Sequence, residues 1–220
     1  MDRQLRALPV LALLTGLAWM AAVLLVSANQ KGITLAGDLA YDRANRAHTV
    51  ALLFLLVTAI VVYRAIRARE LPGRRSATVL VGGSTLMLVG NIVSFWGAFV
   101  IGQQSDQFWG GLAGWLLFLP GSLLVVGAFI GLARAARYWP DVTTAQRWSM
   151  GVAGLLLSIT TMTWAMSPLA TLAPALLAAA GLLAAGTAVA QAARASSLAV
   201  PAAAVPAGRP AGGRQDPHLG

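Results

Sequence analysis

A chain of 220 residues that is 58% hydrophobic and 10% charged lacks the roughly 25% of charged residues that keep a soluble domain dissolved. Its net charge of +9 sits in short Arg clusters flanking long apolar runs instead of one solvated face, which points to membrane topology signals and away from nucleic acid. Cysteine is absent, so disulfides, thiolate metal sites and thiol redox chemistry are excluded within the chain.

The sequence predicts an all-α, polytopic integral membrane bundle of six helices, each supplying the roughly 20 apolar residues that cross a hydrocarbon core of about 30 Å. Residues 1–7 form a cytoplasmic N-terminus and 8–27 the first span. That span ends in Val26-Ser27-Ala28, which resembles a signal-peptidase site. The apolar run is long for a signal peptide, so it is read as a retained helix; loss of residues 1–28 would leave five spans in the same orientation. An outer loop, 28–47, precedes the second span, 48–66. Its Leu39–Ala47 part has helical character, with Asp42 and Arg46 four apart, and extends the second helix outside the bilayer.

An Arg-rich cytoplasmic loop, 67–77, leads to the third span, 78–101. An outer loop, 102–107, the fourth span, 108–132, and a cytoplasmic loop, 133–147, follow. The uncharged run from Trp148 to Ala193 would be about 70 Å long as one helix, so it must fold back. Spans at 148–166 and 169–189 result, joined at Ser167-Pro168 by an N-cap serine and a first-turn proline, with Thr171 and Pro174 as a later alternative. Residues 190–220 are rich in Ala, Pro and Gly and read as a disordered cytoplasmic tail. Continuously apolar runs, without alternation every second residue, exclude a barrel.

Thirteen Lys and Arg fall in the N-terminus, second and fourth connections and tail, against Lys31, Arg43 and Arg46 on the other side. Both termini are therefore expected inside. Abundant Arg, Ala and Gly match bacteria with GC-rich genomes, which sets the expected location as the inner or plasma membrane. Arg67, Arg69, Arg74 and Arg75 are candidates to hold anionic lipid headgroups on the cytoplasmic side. Two inner turns look alike, "RAIRARELPGRR" from Arg64 and "RAARYWPD" from Arg134. A duplicated hairpin is one reading; the common habit of inner helix ends to finish in Arg and then Pro is the other, and the favoured one.

The span interiors carry no ionisable residue, which argues against proton relays, a retinal Schiff base and an intramembrane acid protease. His48 lies at a helix mouth on one face with Tyr41 and Asn45. It falls short of the three or four ligands a metal wants, so no metal or cofactor is expected.

Asn91 stands near the middle of the third span, where an unpaired amide would cost roughly 4 kcal/mol or more, so it needs a partner. Ser84 and Ser94 lie seven before and three after it, nearly on its side. Gly83, Gly90 and Gly97 recur by sevens, and Gly110, Gly114 and Gly121 form a matching small-residue stripe on the fourth span. Pro120 frees the carbonyl of Leu116. One reading gives these stripes to helix packing, with Asn91 bonded to a neighbouring hydroxyl or to the carbonyl near Pro120. The other has Asn91, Ser94, Ser122, Ser158 and Thr161 line a mid-depth polar pocket for a neutral or lipid-like ligand. Trp96, Trp109 and Trp164 fall towards the outer face, as interface anchors or the frame of a vestibule.

The functional expectation is a non-enzymatic multi-pass membrane protein whose helix faces meet lipid, a partner subunit or itself as a homo- or hetero-oligomer. The alternative is a small permease or channel-like protein for an uncharged or lipid-like solute. Hydroxyls and amides without an activating base or metal make an enzyme the third choice.

Overall fold

The computed structural model describes residues 2–28, 39–101, 107–161 and 168–198, and among these every regular element is helical. The order is α1 (Asp2–Ala28), α2 (Leu39–Ala68), α3 (Arg74–Asn91, continued as a π-helical segment Ile92–Ile101), α4 (Gln107–Ala135, with a 3₁₀ turn Ala136–Tyr138), α5 (Thr144–Thr161) and α6 (Pro168–Leu198). Five helices contain stretches long and apolar enough to cross a membrane: Arg3–Leu25, Asn45–Ala68, Arg74–Gly97, Leu112–Tyr138 and Thr171–Leu198. The described part of α5 has 18 residues. The rest of the fifth span, 162–166, lies outside the described residues, as do Ser167 and the tail from 199 onward.

Each helix packs on its neighbours in sequence, and α6 packs on α1, so the six close into a ring. Adjacent helices run antiparallel. On α1 and α6, a Cβ built on Gly16 would meet the Ala179 backbone at 2.7 Å and one on Gly186 would meet Ala12 at 2.6 Å. On α5 and α6, the same construction at Gly181 meets Ala153 and the Ser149 carbonyl. Such spacing needs a residue with no side chain on one helix and a small one opposite, which is how Ala and Gly dominate contacts where lipid offers no hydrophobic gradient.

Alternation gathers the helix ends with Arg3, Arg6, Arg64, Arg67, Arg69, Arg74, Arg75, Arg134, Arg137, Arg147 and Arg194 at one end of the ring. Arg43 and Arg46 lie at the other. Large apolar side chains point outward on every helix, among them Val10, Leu53, Val89, Leu123, Leu155 and Leu177.

The two look-alike turns are in contact at the arginine-rich end. α2 ends in a Schellman motif, with Leu71 N–H donating to Ile66 O at 3.0 Å, Glu70 N–H to Arg67 O at 3.4 Å, and Glu70 at φ 52°. Leu71 and Trp139, each just before a proline, are both buried, and the residue after each proline has positive φ: Gly73 at 105° and Asp141 at 58°. Trp139 Nε1 donates to Pro72 O at 2.8 Å and ties the turns together. α5 opens with a capping box, Thr143 Oγ1 accepting from Gln146 N–H and Gln146 Oε1 accepting from Thr143 N–H.

α6 departs from the sequence reading by continuing helical to Leu198, where the tail was expected from residue 190. Alanine is the best helix former, and Ala190, Ala192 and Ala193 are buried while Gln191 accepts a bond from Gln146 Nε2 at 2.9 Å.

A candidate intramembrane polar site

Two polar clusters lie inside the ring towards the arginine-poor end, and α2 supplies adjacent residues to both. Thr49 faces α3. Its hydroxyl lies 2.6 Å from Asn91 Oδ1 and 2.9 Å from Asn45 O, and it accepts the Trp96 indole N–H at 2.9 Å. The hydroxyl has a single proton, so it serves the amide or the Asn45 carbonyl, one at a time. Arg46 closes this cluster from above, its guanidinium carbon 4.8 Å from the centre of the Trp96 ring.

The partner of Asn91 is therefore a hydroxyl on α2. Thr49 stands four residues from the start of the apolar stretch of α2, so the contact brings Asn91 level with the first turns of that stretch.

The π-helical segment begins at the residue after Asn91. Ile92 N–H is shared between the carbonyls of Leu88 and Val89. A π-turn widens the helix by one residue, a geometry that is rare and clusters at functional positions.

His48 faces inward, edge-on to Trp19 of α1 at 5.3 Å and to Phe118 of α4 at 5.6 Å. Phe118 in turn contacts Trp115. The Trp19 indole donates to Thr160 Oγ1 of α5 at 2.9 Å, which joins α5 to the cluster through Trp19. His48 Nε2 is buried and has no hydrogen-bond partner.

Of the other sequence-predicted residues, Ser94 packs on Gly114 and, among the described residues, hydrogen-bonds to its own helix, to Asn91 O at 3.4 Å. Ser122 and Ser158 meet at 3.4 Å between α4 and α5. The neighbour of Ser122, Gly121, faces Gly83, eight residues before Asn91 and hence about 12 Å away along α3. The serine pair and the Asn91 cluster therefore occupy different depths. Pro120 is exposed on α4. The side chain of Thr161 lies outside the described residues, as do those around Gly110, and with them Trp109 and Trp164.

Gly83 and Gly90 meet Gly121 and Gly114 across α3 and α4, whereas among the described residues a Cβ on Gly97 would find only Ile92 O, at 3.5 Å. Arg67, Arg74 and Arg75 are exposed and Arg69 is half-buried at the arginine-rich end. No group of three or more His, Cys, Asp or Glu that could hold a metal occurs among the described residues.

Comparison with known protein families, with curated proteins and with solved structures gives no match for this chain.

Sequence reasoning missed the roles of Trp19, Thr49 and Thr160, and the hydroxyl pair Thr15–Thr58, which meets at 2.8 Å between α1 and α2. Lone threonines in aliphatic runs were the available signal. It is weak because a helical threonine can satisfy itself on the carbonyl four residues back, as Thr15 does on Leu11 at 2.8 Å.

Proposed function

We propose that the chain is a six-span protein of a bacterial inner or plasma membrane, with both termini cytoplasmic, that acts without catalysis by presenting helix faces to lipid, to a partner subunit or to a second copy. One observation carries this reading. Inside the ring, four pairs of polar groups are matched across helices, Thr15 with Thr58, Trp19 with Thr160, Asn91 with Thr49 and Ser122 with Ser158, leaving the buried Ser84 Oγ and His48 Nε2 unmatched, while every helix turns large apolar residues outward. An interior that uses its hydrogen bonds to hold helices together leaves the outer faces as the surface for recognition. The arginine bias between the two ends supports the orientation by the positive-inside rule.

A second reading, a permease or channel-like protein for an uncharged or lipid-like solute, draws on the π segment after Asn91 and the unpartnered His48 Nε2. Purification from native membrane in mild detergent, followed by native mass spectrometry and flux assays in proteoliposomes, separates the two. A defined partner, lipid or oligomer without solute flux is the result expected. A bare monomer that conducts a neutral solute would replace the first reading by the second.

A further inference from the structure

We propose that α4 holds one anionic phospholipid, its phosphate in a recess at the arginine-rich end and an acyl chain along the outer face of the helix. The proposal rests on the membrane reading above and adds a site and a ligand class to it.

The recess is open, about 300 Å³ in volume, and forms where the α2–α3 turn meets the end of α4, lined by Pro72, Arg134, Ala135, Arg137 and Tyr138. Its geometry is built in: the buried Trp139 bonds Pro72 O, and Gly73 approaches the Ala135 Cβ so closely that an added Cβ would lie 3.0 Å from it. Arg134 and Arg137 are exposed and have no hydrogen-bond or ion-pair partner among the described residues. Three residues apart, they stand one above the other on the helix, where two guanidinium forks can engage the oxygens of one phosphate. Tyr138, 72% exposed, and Trp148, 74% exposed, bring amphipathic rings to the same end, the position such residues take at headgroup level.

From Arg134 the exposed residues of α4 run away from the recess in steps of four, three and four: Ile130, Gly127, Leu123. Nothing lies within 4 Å of a Cβ built on Gly127, so the apolar ridge has an open notch between Ile130 and Leu123. An apolar groove ending on two unpaired guanidiniums has the polarity of a phospholipid, chain below and phosphate above. A zwitterionic headgroup would bring its own cation to these arginines, so the charge selects an anionic, glycerol-type headgroup.

The test is native mass spectrometry of the detergent-purified full chain titrated with phosphatidylglycerol and, separately, phosphatidylcholine. Arg134→Gln with Arg137→Gln should weaken phosphatidylglycerol retention by about fivefold per arginine removed. Gly127→Leu fills the notch without changing charge and should weaken it several-fold with the melting temperature preserved. Arg194→Gln, an exposed arginine at the same end on α6, should change it less than twofold. Equal losses for Arg194→Gln and for each recess arginine would reduce the effect to diffuse charge and overturn the site. Wild-type retention in Gly127→Leu, or displacement of the lipid by millimolar inorganic phosphate, would overturn the acyl groove. Because lipid is counted in detergent, failure of the site is read independently of orientation, which the labelling of Asp141→Cys in intact cells reports.

Discussion

Gly83 and Gly121 face each other so closely that a Cβ built on either would stand 2.8 Å from the other's carbonyl oxygen. Seven residues along, Gly90 meets Gly114 O at 2.6 Å in the same way, so two contacts clamp α3 to α4 in antiparallel register. Gly82, next in sequence to Gly83, would find nothing within 4 Å. We expect Gly83→Ala and Gly90→Leu to lower the melting temperature in detergent, by about 1–3 kcal/mol or more for the larger side chain. Gly82→Ala should be neutral or gain up to about 1 kcal/mol from helix propensity. Similar losses for Gly82→Ala and Gly83→Ala would remove the clamp.

Thr49 and Asn91 are not equivalent partners. Asn91→Leu removes the buried amide and leaves Thr49 with Trp96 and the Asn45 carbonyl, so the expected change is about 0.6 kcal/mol in either direction. Thr49→Val strands both the Asn91 amide and the Trp96 indole and should cost about 1–3 kcal/mol. Melting curves of the two variants side by side decide it; a costlier Asn91→Leu would contradict this order.

His48 offers a reverse experiment. Replacing a half-buried imidazole whose buried Nε2 has no partner by Phe keeps the edge-on contacts to Trp19 and Phe118 and removes an unsatisfied polar atom. His48→Phe should therefore melt at the same temperature as the parent or higher. A marked fall would mean that Nε2 is bonded when the protein is in a bilayer, and would turn attention to a ligand there.

The orientation is open to cysteine labelling on a background that has no native thiol. Arg74→Cys and Asp141→Cys should react only after the inner face is exposed, and Arg43→Cys from outside in intact cells. The opposite pattern would invert the bundle.

The all-helical architecture with several long apolar helices was legible because the hydrophobic run needed to cross a bilayer is long and strongly biased. The small-residue stripes on the third and fourth spans were also legible as stripes, through their spacing of seven. What remained hidden was pairing. Which face of α2 turns to α3 is set by the closed ring, so neither the Thr49–Asn91 contact nor the convergence of Trp19, Phe118 and Thr160 near His48 has a local signature. The π segment was equally invisible, since Ile92–Ile101 reads as an ordinary apolar helix. The end of the sixth helix is masked in the sequence by the Ala, Pro and Gly composition of 190–220, whereas the strong helix propensity of Ala190, Ala192 and Ala193 carries it to Leu198.

Closure of the ring by α1 and α6 has a consequence for biosynthesis. Trp19 and its acceptor Thr160 are 141 residues apart, so at ordinary elongation rates on the order of ten seconds separate their synthesis. During that interval the first helix must wait in the insertion machinery or in lipid with its indole N–H unanswered and its small-residue face uncovered. A ribosome stalled before α5 should thus leave an open, sticky partial bundle that membrane proteases and chaperones can recognise; α5 then answers the indole of Trp19 and α6 covers the small-residue face of α1.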